Sequence, residues 1–140
     1  MNSNVAEARR LHGQRHPVLI VDVRDTGETR TRNWRFYGAD SFIGQMLGRN
    51  WLSMRTEDLL VSARWLAETS GQNRVMLEAT GETVPAALHA GFLESELLSR
   101  VTTKDGLTSW RQLMTEREAY PHIHQAVHGA LRFYDLPDLR

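Results

Sequence analysis

Strand-like and helix-like patterns alternate along this chain of 140 residues, and this alternation restricts the fold more than any other feature. Residues 17–23 read PVLIVDV, a nearly continuous β-branched run that is typical of a strand buried on both faces. Further strands are predicted over residues 74–79 and 98–103, and a predicted helix separates each strand from the next. The sequence therefore predicts an α/β fold, with a short, mostly parallel sheet of about three strands and flanking helices.

The two predicted helices each show one apolar face. The first follows Trp51 and ends at Gly71, a residue type suited to a C-cap. Its apolar face holds Leu59, Leu60, Ala63, Leu66 and Ala67. The second helix begins near residues 83–85. Its inner face is predicted to hold Ala87, Leu88, Gly91 and Phe92.

Outside this region the patterns are weaker. Residues 30–50 read as an irregular, packed segment because they hold Trp34, Phe36, Tyr37 and Phe42. Residues 107–140 read as helical pieces that are interrupted at two prolines, 121 and 137. Residues 1–16 form a polar lead-in, so residues 17–140 are predicted to make a single domain.

Composition excludes several classes of function. The 17 basic residues balance the 17 acidic ones, so no net charge attracts nucleic acid or an anionic membrane. Cysteine is absent, which removes disulfides, thiolate nucleophiles and thiolate-bound metals. The chain shows no signal peptide and no apolar run long enough to span a membrane. We therefore expect a soluble, cytoplasmic protein.

Three segments follow one another in an order that is typical of one family. Residues 21–29 read VDVRDTGET, residues 75–93 read as a strand, a sharp turn and a helix, and residues 127–139 read VHGALRFYDLPDL. Together they resemble acetyl-xylan-esterase-like α/β hydrolases, in which the first segment reads V-D-x-R-x-T-G-E-T. The resemblance implies the middle strands of an α/β-hydrolase fold. It also implies a small-molecule carboxylic ester or lactone as substrate.

The chemistry of that family depends on a serine at a strand-to-helix elbow, G-x-S-x-G. Residues 79–83 read ATGET here, so Gly81 stands in the place of the serine. A register shifted by two residues would instead make Thr83 the hydroxyl. The candidate catalytic residues are Thr83 as nucleophile and Glu82 as the base for a water. Gly81 and Glu82 form the elbow, where the Glu82 N–H is the candidate oxyanion donor.

The resemblance also implies that part of the catalytic machinery is missing. The acid and the histidine of the family would follow the last segment, and the chain ends at Arg140. We therefore expect a domain that is truncated relative to the family. The alternative to an atypical hydrolase is a non-catalytic remnant or interaction module that keeps the scaffold.

A missing strand leads to an expectation about partners. The resemblance implies that an upstream strand lies between the first and second strands found here. Either these two strands pair directly, or another chain fills the gap, because unpaired strand edges and bare apolar faces are costly. We therefore expect a homo-oligomer in which another copy covers these groups, and we expect no nucleic-acid or membrane partner.

The histidines near the C-terminus offer a metal alternative. His124 and His128 are four residues apart, a spacing that could place both on one helix face as zinc ligands, with His122 nearby. Spacing indicates no further ligand, so no cofactor is predicted and a divalent metal stays an open alternative. Asp22, Glu28, Glu78 and Glu82 lie at the predicted carboxyl ends of strands, where open α/β sheets bind ligands.

Overall fold

The computed structural model describes residues 3–30, 39–115 and 124–140. Its helices are α1 (Ser3–Gly13), α2 (Ala39–Met46), α3 (Trp51–Ser70) and α4 (Val84–Leu93). Its strands are β1 (Val75–Thr80) and β2 (Leu98–Lys104), and several short 3₁₀ turns connect the elements. Among the described residues, no helix has the length and apolar character that crossing a membrane requires.

Helix α3 is the longest element, and its ends follow local rules. The Asn50 side chain caps the start by accepting hydrogen bonds from the backbone N–H groups of Leu52, at 2.8 Å, and Ser53. Gly71 closes the end in the left-handed region, with a φ of 67°. Both the helix and its glycine stop were predicted from the sequence and are confirmed.

The two strands form a parallel pair joined by α4 as the crossover. Leu77 lies opposite Val101, and Ala79 lies opposite Thr103. Helix α4 packs against both strands and against α3, so its apolar face is covered on two sides. The predicted α/β class and the parallel strand pair are therefore confirmed.

The core lies where α3, α4 and the two strands meet, and it takes in single side chains from the connecting segments. Its buried members are Val23, Leu52, Leu59, Leu60, Ala63, Ala67, Val75, Ala79, Val84, Ala86, Ala87, Leu88, Ala90, Leu98, Leu107, Trp110, Ala130 and Leu136.

Residues 17–23 do not form a strand, so this part of the prediction is wrong. Leu19, Ile20 and Val21 are exposed, with Ile20 at 56%, and within this segment Val23 alone is buried. The sheet that the structure describes pairs β1 with β2 alone and leaves this segment outside. A β-branched run has the capacity to pair, but pairing also needs a neighbouring strand edge.

Three other regions differ from the prediction. Helix α1 occupies most of the expected polar lead-in, and α2 lies within the segment expected to be irregular. Trp34, Phe36 and Tyr37 lie outside the described residues, and so does Pro121. The described part of residues 107–140 contains 3₁₀ turns at Trp110–Met114, Ala130–Arg132 and Leu136–Leu139 rather than longer helices.

The inner face of α4 was predicted correctly except at its last turn. Ala87 and Leu88 are buried as expected, but Phe92 is exposed. Gly91 lies so close to β2 that an added Cβ would come within 2.6 Å of the Val101 side chain. Because the last turn of α4 approaches β2 through Gly91, the neighbouring Phe92 points away from the core.

The carboxylate of Asp135 holds the C-terminal segment in place. It accepts hydrogen bonds from the Ser109 hydroxyl, from the Trp110 backbone N–H at 2.7 Å and from the Leu136 backbone N–H at 2.7 Å. Burial by itself raises the pKa of Asp135, but these hydrogen bonds outweigh it, so the pKa lies below its ordinary value. Leu136 is thereby fixed, fully buried, against α4.

We expect Asp135→Asn to lower the free energy of unfolding by about 2 kcal/mol, because an amide group cannot accept all three hydrogen bonds. Because its pKa is lowered in the folded protein, Asp135 contributes its full stabilisation to the free energy of unfolding at pH values above the ordinary aspartate pKa of 3.8. This stabilisation is lost as pH falls through the folded-state pKa, so the difference between the two proteins should shrink in acid. Urea unfolding at several pH values measures this.

Asp105→Asn is the matched control for this substitution. Asp105 is exposed in a turn with a φ of 52°, a conformation that asparagine also adopts. Its substitution should change stability by no more than about 0.5 kcal/mol. Equal stability of the Asp135→Asn protein and the unsubstituted protein at neutral pH would contradict the role given to Asp135.

Candidate functional site

The predicted elbow between β1 and α4 is present. Strand β1 ends at Thr80, a 3₁₀ turn spans Gly81–Thr83, and α4 begins at Val84. Gly81 has a φ of 61°, in the left-handed region where glycine carries no steric cost. The tight turn predicted at residues 80–82 is therefore confirmed, and it lies at the carboxyl end of a parallel strand.

The Thr83 hydroxyl forms a hydrogen bond within the turn. It donates a hydrogen bond of 2.9 Å to the carbonyl oxygen of Thr80, and the side chain is half-buried. A nucleophilic hydroxyl instead needs to donate to a general base that removes its proton. The described contacts of Thr83 therefore match a side chain that stabilises a turn.

The Glu82 carboxylate lies between two guanidinium groups. One oxygen forms an ion pair with Arg30, and the other lies 3.6 Å from Nη2 of Arg55. A general base needs a carboxylate oxygen directed at the water that it activates. Here both carboxylate oxygens face cations, so the structure places Glu82 in an ion-pair network.

Arg55 is a central residue of this region that sequence reasoning did not identify. Its side chain is 0% exposed, although it carries a charge. Its Nε donates to the carbonyl oxygen of Arg24 at 3.1 Å, and its Nη2 donates to that of Asp25 at 3.3 Å. Burial lowers the pKa of Arg55, and the carboxylates of Glu82 and Asp25 partly offset this effect.

A signal for Arg55 was present in the sequence. The residue lies four positions before Leu59 and eight before Ala63, on the apolar face of α3. A charged residue on an apolar face is rarely fully buried unless it is paired, so its position indicates an internal partner. The partners themselves are backbone carbonyls and a distant glutamate, which no spacing in the sequence predicts.

His124 occupies the same region from another part of the chain. It is 4% exposed, and its Nδ1 lies 3.8 Å from a carboxylate oxygen of Asp25. Its ring centroid lies 5.4 Å from that of Trp51. Asp25 has a φ of 57°, which is uncommon for a residue other than glycine. The histidine is therefore packed inside the protein against an aromatic ring and a carboxylate.

His124 and His128 do not share a helix face, the arrangement on which the metal alternative depended. Residues 126 and 127 have no regular structure, residue 128 lies in a turn, and His128 is exposed. His122 lies outside the described residues. Within the described ranges, no group of three or more histidine, aspartate or glutamate side chains could hold a metal ion.

Three of the four carboxylates at the ends of the predicted strands make separate contacts. Asp22 accepts a hydrogen bond from the backbone N–H of Glu28 at 3.0 Å. Glu78 pairs with Lys104 at 2.6 Å, and Glu82 pairs with the two arginines. The described contacts therefore do not join these side chains into one carboxylate cluster.

A second group of polar side chains, which sequence reasoning also missed, is centred on His89 of α4. His89 contacts the carbonyl oxygen of Pro85 through Nδ1 at 2.7 Å and the Tyr134 hydroxyl through Nε2 at 2.8 Å. Because a carbonyl can only accept, the proton lies on Nδ1, and Nε2 accepts from Tyr134. Burial lowers the pKa of His89, which favours this neutral form.

Trp110 packs against both His89 and Tyr134, with ring centroids 5.8 Å and 5.4 Å away. Trp110 also lines an open, mainly apolar pocket of about 400 Å³. The pocket is lined by Trp110, Leu113, Met114, Ala126, Val127, Gly129, Ala130, Leu131 and Arg132. His89 and Tyr134 do not line this pocket, so this group of polar side chains and the pocket are separate features.

Comparisons with protein-family models, with curated proteins and with solved structures find no match for this chain.

We expect Glu82→Ala to destabilise the fold by about 3 kcal/mol or more, because it leaves the buried charge of Arg55 without its nearest carboxylate. Glu57→Ala is the matched control, since the Arg49–Glu57 pair is exposed on both sides. That substitution should cost at most about 1 kcal/mol. Equal losses in chemical unfolding would show that Glu82 is an ordinary surface ion-pair partner.

Proposed function

We propose that this chain is a non-catalytic interaction module that keeps an α/β scaffold and associates with a second copy of itself. The observation that carries the proposal is the internal use of the elbow side chains. Glu82 pairs with Arg30 and Arg55, and the Thr83 hydroxyl donates to the carbonyl of Thr80. These groups hold the protein together at the position where a hydrolase would present its nucleophile and base.

A hydrolase of carboxylic esters or lactones remains the second candidate function. It is favoured by one observation, the left-handed Gly81 at the carboxyl end of β1. This geometry suits an elbow that presents backbone N–H groups to an oxyanion. Acyl transfer also needs a hydroxyl, a base and an oxyanion donor around one point. The described contacts of Thr83 and Glu82 do not bring these three together, so we rank the hydrolase second.

The sheet supports the self-association part of the proposal. Parallel sheets are usually covered on both faces and have more than two strands. Within the part of the chain that the structure describes, β1 pairs with β2 alone, and Met76 on β1 is exposed. Leu19, Ile20 and Val21 form an exposed apolar stretch outside the sheet. A two-stranded parallel sheet and an exposed apolar stretch are both normally packed against additional protein.

A second copy of the chain is the occupant that matches both features. Each copy offers one β-branched segment outside the sheet and one strand pair, to which no further strand of the described residues is added. Residues 17–22 of each copy would add as a strand to the sheet of the other copy. This single symmetric contact would cover both the exposed apolar stretch and the strand pair of each copy. The proposed assembly is therefore a symmetric dimer.

The catalytic question is tested with p-nitrophenyl esters and a lactone. We expect no saturable turnover by the purified protein, and Thr83→Val should leave the residual rate unchanged. Ser99→Ala is a control hydroxyl removal on β2, away from the elbow. Saturable turnover that falls about a hundredfold in Thr83→Val and not in Ser99→Ala would instead establish the hydrolase.

The association is tested by light scattering over a range of protein concentrations. We expect a dimer for the unsubstituted protein and a shift to monomer for Ile20→Lys, because a buried lysine in the contact would be unpaired. Val61→Lys is the matched control, since Val61 on α3 is as exposed as Ile20 and lies outside the proposed contact. A monomer at all concentrations, or equal effects of the two substitutions, would contradict the proposed dimer.

A further inference from the structure

Two buried hydrogen-bond donors near the start of α3 have no partner within the described part of the chain. They are Nη1 of Arg55 and Nε1 of Trp51. Most buried polar groups in proteins are hydrogen-bonded, and an unsatisfied donor is costly, especially when it carries a charge. Each of these two donors therefore needs an acceptor that the described residues do not supply.

The two donors belong to neighbouring side chains. Trp51 and Arg55 are four residues apart on α3, so they lie one turn apart on the same helix face. Side chains on a helix lean toward its N-terminus, which brings Arg55 back over the turn that carries Trp51. Asp25 and His124 complete the surroundings, because His124 contacts both Trp51 and Asp25, and Arg55 binds the Asp25 backbone.

The other polar atoms of Arg55 are already engaged. Nε and Nη2 bind the carbonyl oxygens of Arg24 and Asp25, and Nη2 also faces Glu82. Glu82 is shared with Arg30, so the charge of Arg55 is only partly balanced by this carboxylate. The remaining donors thus combine a partly compensated positive charge with an indole N–H.

We propose that Arg55 and Trp51 bind a small monovalent anion, such as chloride or formate, between Nη1 and Nε1. An anion accepts from both groups and has no hydrogen of its own that needs an acceptor, whereas a water molecule brings two. The positive end of the α3 dipole adds to the attraction. The carboxylates of Asp25 and Glu82 oppose a second negative charge, so the site favours a single charge in a small ion.

The direct test is a titration of the ¹⁵N-labelled protein, in which sodium chloride or sodium formate replaces sodium sulfate at constant ionic strength. We expect the Trp51 indole N–H resonance to shift saturably with chloride, with formate or with both. Trp51→Phe assigns the resonance. Trp110 is the internal control for a satisfied donor, because its Nε1 already donates to the carbonyl oxygen of Gln125 at 2.9 Å. Trp65, which is exposed, is the control for a general salt effect.

Thermal unfolding gives a second, independent readout. Chloride or formate should raise the melting temperature of the unsubstituted protein and of Trp65→Phe, and this rise should be lost in Trp51→Phe. Phenylalanine keeps the ring against His124 and removes the N–H, so the variant should still fold.

Three results would overturn the proposal. The first is an unchanged Trp51 resonance with both anions. The second is an equal shift at Trp51, Trp65 and Trp110, which would indicate a general salt effect. The third is a cross-peak from the Trp51 N–H to a long-lived water without any response to anions, which would assign the acceptor as water.

Discussion

The contacts of the buried Arg55 guanidinium are the interaction on which the packing of the elbow region depends. The guanidinium reaches from α3 to the backbone of residues 24 and 25 and to Glu82 at the elbow. These segments are distant from one another in the sequence. A buried charge is tolerated only when its neighbours are fixed, so Arg55 imposes one geometry on all three segments. Arg24 adds a second tie through its ion pair with Asp58 of α3.

At the elbow, the backbone forms a tight turn, but the side chains of the turn are engaged in structural contacts. A tight strand-to-helix turn is present, with Gly81 in the left-handed backbone region. The side chains around it, however, stabilise the turn and the ion-pair network. A tight turn after a strand does not by itself supply catalytic side chains, because backbone geometry and side-chain chemistry respond to different constraints. The proposed interaction module rests on this difference.

The candidate site could be predicted from the sequence only in part. The position of the elbow followed from the end of an apolar strand and the start of helical spacing, both of which are local signals. The partners of Glu82 could not be predicted, since Arg30 and Arg55 are brought to it by the tertiary fold. The same holds for the surroundings of His124, for which helical spacing with His128 offered a metal site only as an alternative. His124 is packed against Trp51 and Asp25, residues far from it in the chain.

By itself, the sequence determined α3 with its glycine stop, β1, β2 and the crossover helix between them. These elements are specified by periodicity and by end signals within a few residues. Only the tertiary structure decided whether residues 17–23 would pair as a strand. Their β-branched character is the same in either case, and what differs is whether a neighbouring strand edge lies within reach. Tertiary structure also decided the role of Arg55, because the worth of a buried charge depends on partners that sequence spacing does not reveal.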